Sequence, residues 1–170
     1  MAEIRAAVVA DAVGIARVHV LTWQHAYRGQ MPDRFLDSLS MEQRTQTWKA
    51  NLSNPRPKAR TLAAVEGDQI VGFCGIGASR EADAGESSGE LYAIYVDSAF
   101  MRQGIGAALM NEALRLLRED GFMHATLWVL TSNTQARGFY EHFGWAADGA
   151  SKTEARDDFE LHELRYAITL

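Results

Sequence analysis

Residues 90–107 constrain this chain more than any other stretch. Glu90-Leu91-Tyr92-Ala93-Ile94-Tyr95-Val96 is rich in aromatic and branched residues and reads as a strand. Met101-Arg102-Gln103-Gly104-Ile105-Gly106-Ala107 comes next. From Gly104 to Asp120 the apolar residues Ile105, Ala108, Leu109, Ala113, Leu116 and Leu117 fall on one side of a helix, and Gly121 is its stop. A strand therefore passes through two glycines into a helix. Glycines there let the backbone approach a ligand closely. The first helical turn adds free N–H groups at the positive end of the dipole. Together they suit a pyrophosphate, and Arg102 can add a charge-assisted contact. A tight turn without a ligand would use the same glycines. Two phosphate motifs are excluded. A dinucleotide fingerprint wants Gly or Ala where Leu109 stands, and a Walker loop wants Gly-Lys-Ser/Thr.

The remaining segments read in order. Glu3 to Val9 is a first strand. Asp11 is placed to cap a helix whose apolar positions are Val13, Ala16, Val20, Trp23 and Tyr27, punctuated by Gly29 and Pro32. Ser40 caps a second helix with Met41, Thr45, Trp48 and Leu52 along one face. Thr61–Glu66 and Gln69–Ala78 form a hairpin through Gly67-Asp68. Arg80 to Gly89 is polar and reads as a mobile loop. His124–Leu130 is a strand, Asn133–Phe143 a short helix ended by Gly144, and Trp145–Thr153 and Phe159–Ile168 are the last strands. The order β-α-α-β-β-β-α-β-α-β-β predicts an α/β (α+β) domain over residues 1–170. Its central sheet is mixed and mostly antiparallel, with about seven strands and helices on both faces.

Composition narrows the partners. The chain has 170 residues and a net charge of −5, with no basic stripe, so nucleic acid is not expected. No apolar run approaches the roughly 18 residues of a membrane span, and the N-terminus carries no signal-like segment. The expected location is the cytoplasm, away from membranes. Cys74 is the single cysteine and the five histidines form no metal motif, so no metal is expected. Nothing excludes a homodimer.

The strand, then five residues, then R-Q-G-I-G-A resembles the acetyl-CoA motif of the GNAT N-acetyltransferase superfamily, whose loop reads Q/R-x-x-G-x-G/A. Gly104 and Gly106 match, while Met101 stands where Gln or Arg is usual. Asn133-Thr134-Gln135-Ala136-Arg137-Gly138-Phe139-Tyr140-Glu141-His142-Phe143-Gly144-Trp145 resembles the family's N-x-x-A-x-x-F-Y-x-x-x-G-F/W. The resemblance implies a GNAT-like fold and acetyl-CoA as cosubstrate. CoA would be held by Met101, Arg102, Gln103, Gly104, Ile105, Gly106 and Ala107. A splay of the sheet would expose backbone N–H groups near Ile94, Tyr95 and Val96, and Asn133 and Tyr140 would complete the site.

The resemblance also implies chemistry: transfer of acetyl to a primary amine by direct attack in a ternary complex. Tyr140 shares a helical face with Asn133 and would protonate the departing thiolate. A lysine-like amine is only about one part in 2,500 neutral at pH 7, equivalent to about 4.6 kcal/mol, so a carboxylate or a water chain must take its proton. Glu90, 14 residues before Gly104, is the candidate. Strand alternation puts Glu90, Tyr92, Ile94 and Val96 on one face. Trp23 and Tyr27, core by default, could wall the acceptor, which is a small-molecule or peptide/protein amine. A transferase of another acyl-CoA, or a non-catalytic acyl-CoA-binding sensor, would share the CoA motif; Glu90, Asn133 and Tyr140 together argue against the sensor.

Overall fold

A computed structural model describes all 170 residues. The elements are β1 (Glu3–Ala6), α1 (Ala12–Ala26), α2 (Asp33–Asp37), α3 (Met41–Ser53), β2 (Arg60–Glu66), β3 (Gln69–Ala78), β4 (Ser88–Val96), α4 (Ile105–Glu119), β5 (His124–Leu130), α5 (Thr134–His142), β6 (Ala146–Arg156) and β7 (Phe159–Thr169). Short 3-10 turns at Val9–Asp11 and Ser98–Phe100 precede α1 and α4. The sequence pattern does not reveal these turns or α2, because one turn of helix is too short to show a period.

The seven strands form one sheet in the order β1-β2-β3-β4-β5-β7-β6. Every neighbouring pair is antiparallel except β4 with β5, which is parallel. The β4–β5 ladder joins only Ser88–Glu90 to His124–Thr126. Beyond it β4 runs on to Val96 and β5 to Leu130 unpaired with each other, so the sheet opens in its middle.

Helices cover both faces. The main core lies under α4 and α5, with Leu109, Met110 and Leu117 fully buried against Cys74, Ile76 and Leu127. Cutting one such Leu to Ala costs about 2–5 kcal/mol. A smaller cluster of Ile15, Val18, Ala63, Ile70 and Phe73 seats α1 on the other face, with Trp48 and Leu52 of α3 packed against it. A third, Met31, Leu36, Leu130 and Leu161, lies where α2 meets β5 and β7.

Three expectations of facing need correction. Val13 is exposed, because α1 leans on its Gly14 side: a Cβ at Gly14 would come within 2.6 Å of Ile70. Ala108 is also exposed, and Met110 and Leu114 join the buried side of α4 instead. In β4, Ala93 pairs with Gly75 but Leu91 with Ile76, so Tyr92 is a bulged residue. The bulge reverses the alternation. Glu90 and Tyr92 keep the α1 face, while Ile94 and Val96 turn to the α4 core.

Candidate active site

A cleft of about 710 Å³ opens where β4 and β5 part. Its walls carry Trp23, Tyr27, Glu90, Ile94, Tyr95, Val96, Met101, Arg102, Gly104, Ile105, Gly106, Ala107, Asn133 and Tyr140. Of the residues the sequence nominates, only Gln103 is off the wall; it is exposed.

One end of the cleft is the start of α4. Gly104 is its N-cap, with φ 80°, a left-handed conformation that favours glycine. Arg102 also has positive φ, at 63°, which is uncommon for a residue with a side chain. No side chain caps α4, and no acid lies in its first turn. The α1 and α2 N-termini also lack a side-chain cap, but α3 and α5 differ. Ser40 Oγ accepts from Gln43 N at the start of α3, and Asn133 Oδ1 accepts from Ala136 N at the start of α5. The α4 N-terminus is therefore a free, positively polarised set of N–H groups facing a cleft. A Cβ on Gly106 would touch the Phe139 ring at 3.4 Å, so the small residue also lets α5 pack close.

The middle of the cleft is lined by the unpaired edge of β4 and by phenols. Tyr140, on α5, packs edge-on against Trp145 and Tyr166. Burial raises its pKa, and the neighbouring Tyr95 phenol adds to the shift. The Tyr140 phenol is therefore un-ionised at neutral pH. Burial likewise raises Tyr95 and Tyr27, and the Glu163 carboxylate adds to both. Behind Tyr95, the His19 ring stacks at 5.4 Å and accepts a hydrogen bond from Trp48 Nε1 at Nδ1, 3.2 Å away. Burial, helped by Arg44, lowers the His19 pKa to about 3, so the ring is neutral.

The other end carries charge. Glu90 is 2% exposed, and Arg80 clamps it. The Arg80 backbone N–H donates to Oε2 at 2.8 Å, and its guanidinium donates twice to Oε1, at 2.6 and 3.2 Å. The same guanidinium lies over the Tyr92 ring at 4.5 Å. The start of the Arg80–Gly89 loop is thus tied into the site: Arg80 holds Glu90, and Glu81 accepts from Trp128 Nε1 at 2.7 Å. Trp23 and Tyr27 meet edge-to-face at 5.2 Å, pack on the third cluster and also line the cleft. Lys152, Glu154, Arg156 and Glu163 complete the wall from the β6–β7 hairpin. Sequence reading does not single out these four or Arg80. Along β6 the charges Lys152, Glu154 and Arg156 fall at every second residue, a pattern that normally marks a solvated face.

A profile of the acetyltransferase (GNAT) family matches residues 14–145. This chain belongs to that family. The acetyltransferase is 31% identical over 165 residues to the uncharacterised N-acetyltransferase YuaI of Bacillus subtilis, covering 97% of this chain and 88% of YuaI. Its fold matches that of the PaiA N-acetyltransferase from Thermoplasma acidophilum in complex with coenzyme A. The TM-score is 0.73 at 19% identity, over 100% and 99% of the two chains. It also matches yncA, a putative acetyltransferase from Salmonella typhimurium solved with its cofactor acetyl-CoA. There the TM-score is 0.74 at 18% identity, over 99% and 94%. No helix of the chain is long and apolar enough to cross a membrane.

Proposed function

We propose that this acetyltransferase moves an acetyl group from acetyl-CoA to a primary amine by direct attack within a ternary complex. The observation that carries this reading is the uncapped, acid-free N-terminus of α4 at the head of a cleft that continues along the unpaired edge of β4. The pyrophosphate would take the N–H groups of Ile105, Gly106 and Ala107, aided by Arg102. The pantetheine arm and the thioester carbonyl would lie along β4 from Ile94 to Val96, where the backbone N–H groups that face away from β3 would stabilise charge that builds on the carbonyl oxygen.

Direct attack suits the residues present. Cys74 is the only thiol. It is fully buried, and burial pushes its pKa up to about 12, so no cysteine can carry the acetyl group. The amine nitrogen bonds to the thioester carbon as the carbon–sulfur bond breaks. Tyr140 gives its proton to the leaving sulfur, and solvent reprotonates the phenolate. The amine's proton leaves by water toward Glu90. That carboxylate is no free base: Arg80 occupies Oε1 twice and Oε2 once, which leaves Oε2 room for about one more hydrogen bond. We therefore place Glu90 at the end of a proton route, where a water can reach Oε2.

The test is release of free CoA thiol from acetyl-CoA in the presence of a panel of amines. Release that depends on an amine supports transfer. Binding of CoA with no release from any amine would make the chain a non-catalytic acyl-CoA sensor. Faster release from a longer acyl-CoA would change the donor and leave the mechanism.

A further inference from the structure

The acceptor end of the cleft is built of paired charges in equal number. Arg80 pairs with Glu90 at 2.6 Å, Lys152 with Glu163 at 3.6 Å, and Arg156 with Glu154 at 2.9 Å. All six residues line the cleft. Although the chain carries a net charge of −5, this wall sums to zero. A polyamine would need surplus carboxylates here. A simple amine that took one carboxylate would strand that carboxylate's cation. A molecule with one ammonium and one carboxylate re-pairs both partners of an opened ion pair and leaves no charge unmatched.

The three pairs are unequal, and the inequality selects one. Glu90 already accepts three hydrogen bonds from Arg80, which leaves no room for an ammonium to displace its partner cheaply. Arg156 and Glu154 are two places apart on one strand, and both are exposed. Lys152 and Glu163 face each other across the β6–β7 ladder through one long contact, and they differ in cover. Lys152 is half-exposed and rests over the Trp128 ring at 4.3 Å, so it can swing outward on its stem. Glu163 is mostly buried and faces Leu130 on β5, whose cluster carries Trp23 and Tyr27. Tyr27, Tyr95 and Tyr140 line the same cleft as Glu163. Glu163 therefore marks the reacting end, and Lys152 the outer end. Beside them the buried side chains Met31, Leu130 and Leu161 line the cleft and form an apolar floor.

We propose that the acceptor is a small zwitterionic amino acid with an apolar side chain. Its ammonium docks on Glu163 on the Tyr27 side of the cleft, its carboxylate takes Lys152, and its side chain lies over Met31, Leu130 and Leu161. The proposal rests on the amine-acetylation reading and narrows its acceptor.

The experiment compares each amino acid with the amine left by removing its carboxylate. Leucine is set against 3-methylbutylamine and lysine against 1,5-diaminopentane, with spermidine and a free tripeptide alongside, all with acetyl-CoA and thiol detection. The expected result is a kcat/KM for leucine at least tenfold above that for 3-methylbutylamine, and above those for lysine, spermidine and the tripeptide. Lys152→Met should cut the leucine preference about tenfold through KM. Glu163→Gln should raise KM for leucine and for 3-methylbutylamine alike. Spermidine, the tripeptide or a decarboxylated amine equalling leucine would overturn the proposal, as would a Lys152→Met variant that keeps the preference. CoA-induced thermal stabilisation, measured on the same samples, separates the two levels. If it is present and another amine of the set is acetylated in place of leucine, only the acceptor proposal falls; if it is present with no amine acetylated, or is absent, the acetylation reading falls too.

Discussion

At one end of the cleft the α4 helix offers backbone N–H groups with no charged side chain in its first turn. At the other, six charged side chains meet in three pairs. The first end holds a ligand through groups every residue has, so side chains matter there mainly by being small. The second depends on which side chains the sheet register brings face to face. Substitutions should therefore act differently at the two ends. Added bulk or negative charge should abolish binding at the first, and removal of a partner should destabilise the second.

The largest effect is expected from Gly106→Asp, which sets a carboxylate in the first turn of α4. CoA affinity should fall by at least about 100-fold in a calorimetric titration, because the helix end that attracts the pyrophosphate now carries a like charge. Gly106→Ala is the control for bulk alone, since its Cβ meets Phe139 at a tolerable 3.4 Å. A normal affinity in a folded Gly106→Asp variant places the cradle elsewhere.

Tyr140→Phe should lower kcat by about 100-fold while leaving CoA affinity nearly unchanged, since only a proton donor is lost and the ring packing remains. Full activity would mean that the sulfur leaves unprotonated or draws its proton from water.

Arg80→Ala tests the charged end. It strands Glu90 in a buried position, and unfolding in denaturant should show a loss of about 2 kcal/mol, less than a fully buried pair because Arg80 is half-exposed. Adding Glu90→Gln should recover part of that loss. No recovery would show that Arg80 acts through Tyr92 rather than through Glu90.

His19 gives a smaller, pH-dependent effect. Its folded pKa, about 3, lies below the reference value of 6.5. Between those values the unfolded chain binds a proton that the folded chain does not, so stability falls as pH drops below about 6.5. From pH 6.5 to 5, before most carboxylates titrate, His19→Phe should flatten the slope by about 1 kcal/mol per pH unit. An unchanged slope would mean that the ring protonates in place. The smallest effect is expected at the backbone end: Met101→Gln should alter CoA affinity by less than about threefold, since N–H groups of the helix start supply most of the contact.

The same contrast explains what the sequence discloses. The glycine loop and the Asn133–Trp145 segment are local, so their residues sit at fixed spacings; all of the loop but Gln103 lines the cleft, as do Asn133, Gln135, Ala136, Phe139 and Tyr140. The succession of seven strands along the chain and the capping of α3 by Ser40 follow from equally local signals. The facing of Ile94 and Val96 does not. A bulge at Tyr92 is set by pairing with β3, some 17 residues earlier in the chain, and alternation alone cannot show it. Asp11 illustrates the same limit. It stands at the N-cap position of α1, but its carboxylate goes to Arg5 and to the Val8 N–H instead. The Arg80 clamp on Glu90 and the Lys152–Glu163 pair join residues from separate strands and loops, so they become visible only once the sheet is assembled.

Thermal unfolding of the purified protein with and without CoA tests the central claim most directly, with NADH and ATP as controls. A ligand that binds only the folded state adds about 2.7 kcal/mol at 100 times its dissociation constant. For a chain of this length that is a rise in Tm of about 5–10 °C. The account predicts that rise with CoA and with acetyl-CoA, and none with NADH or ATP. No shift at saturating CoA would contradict it.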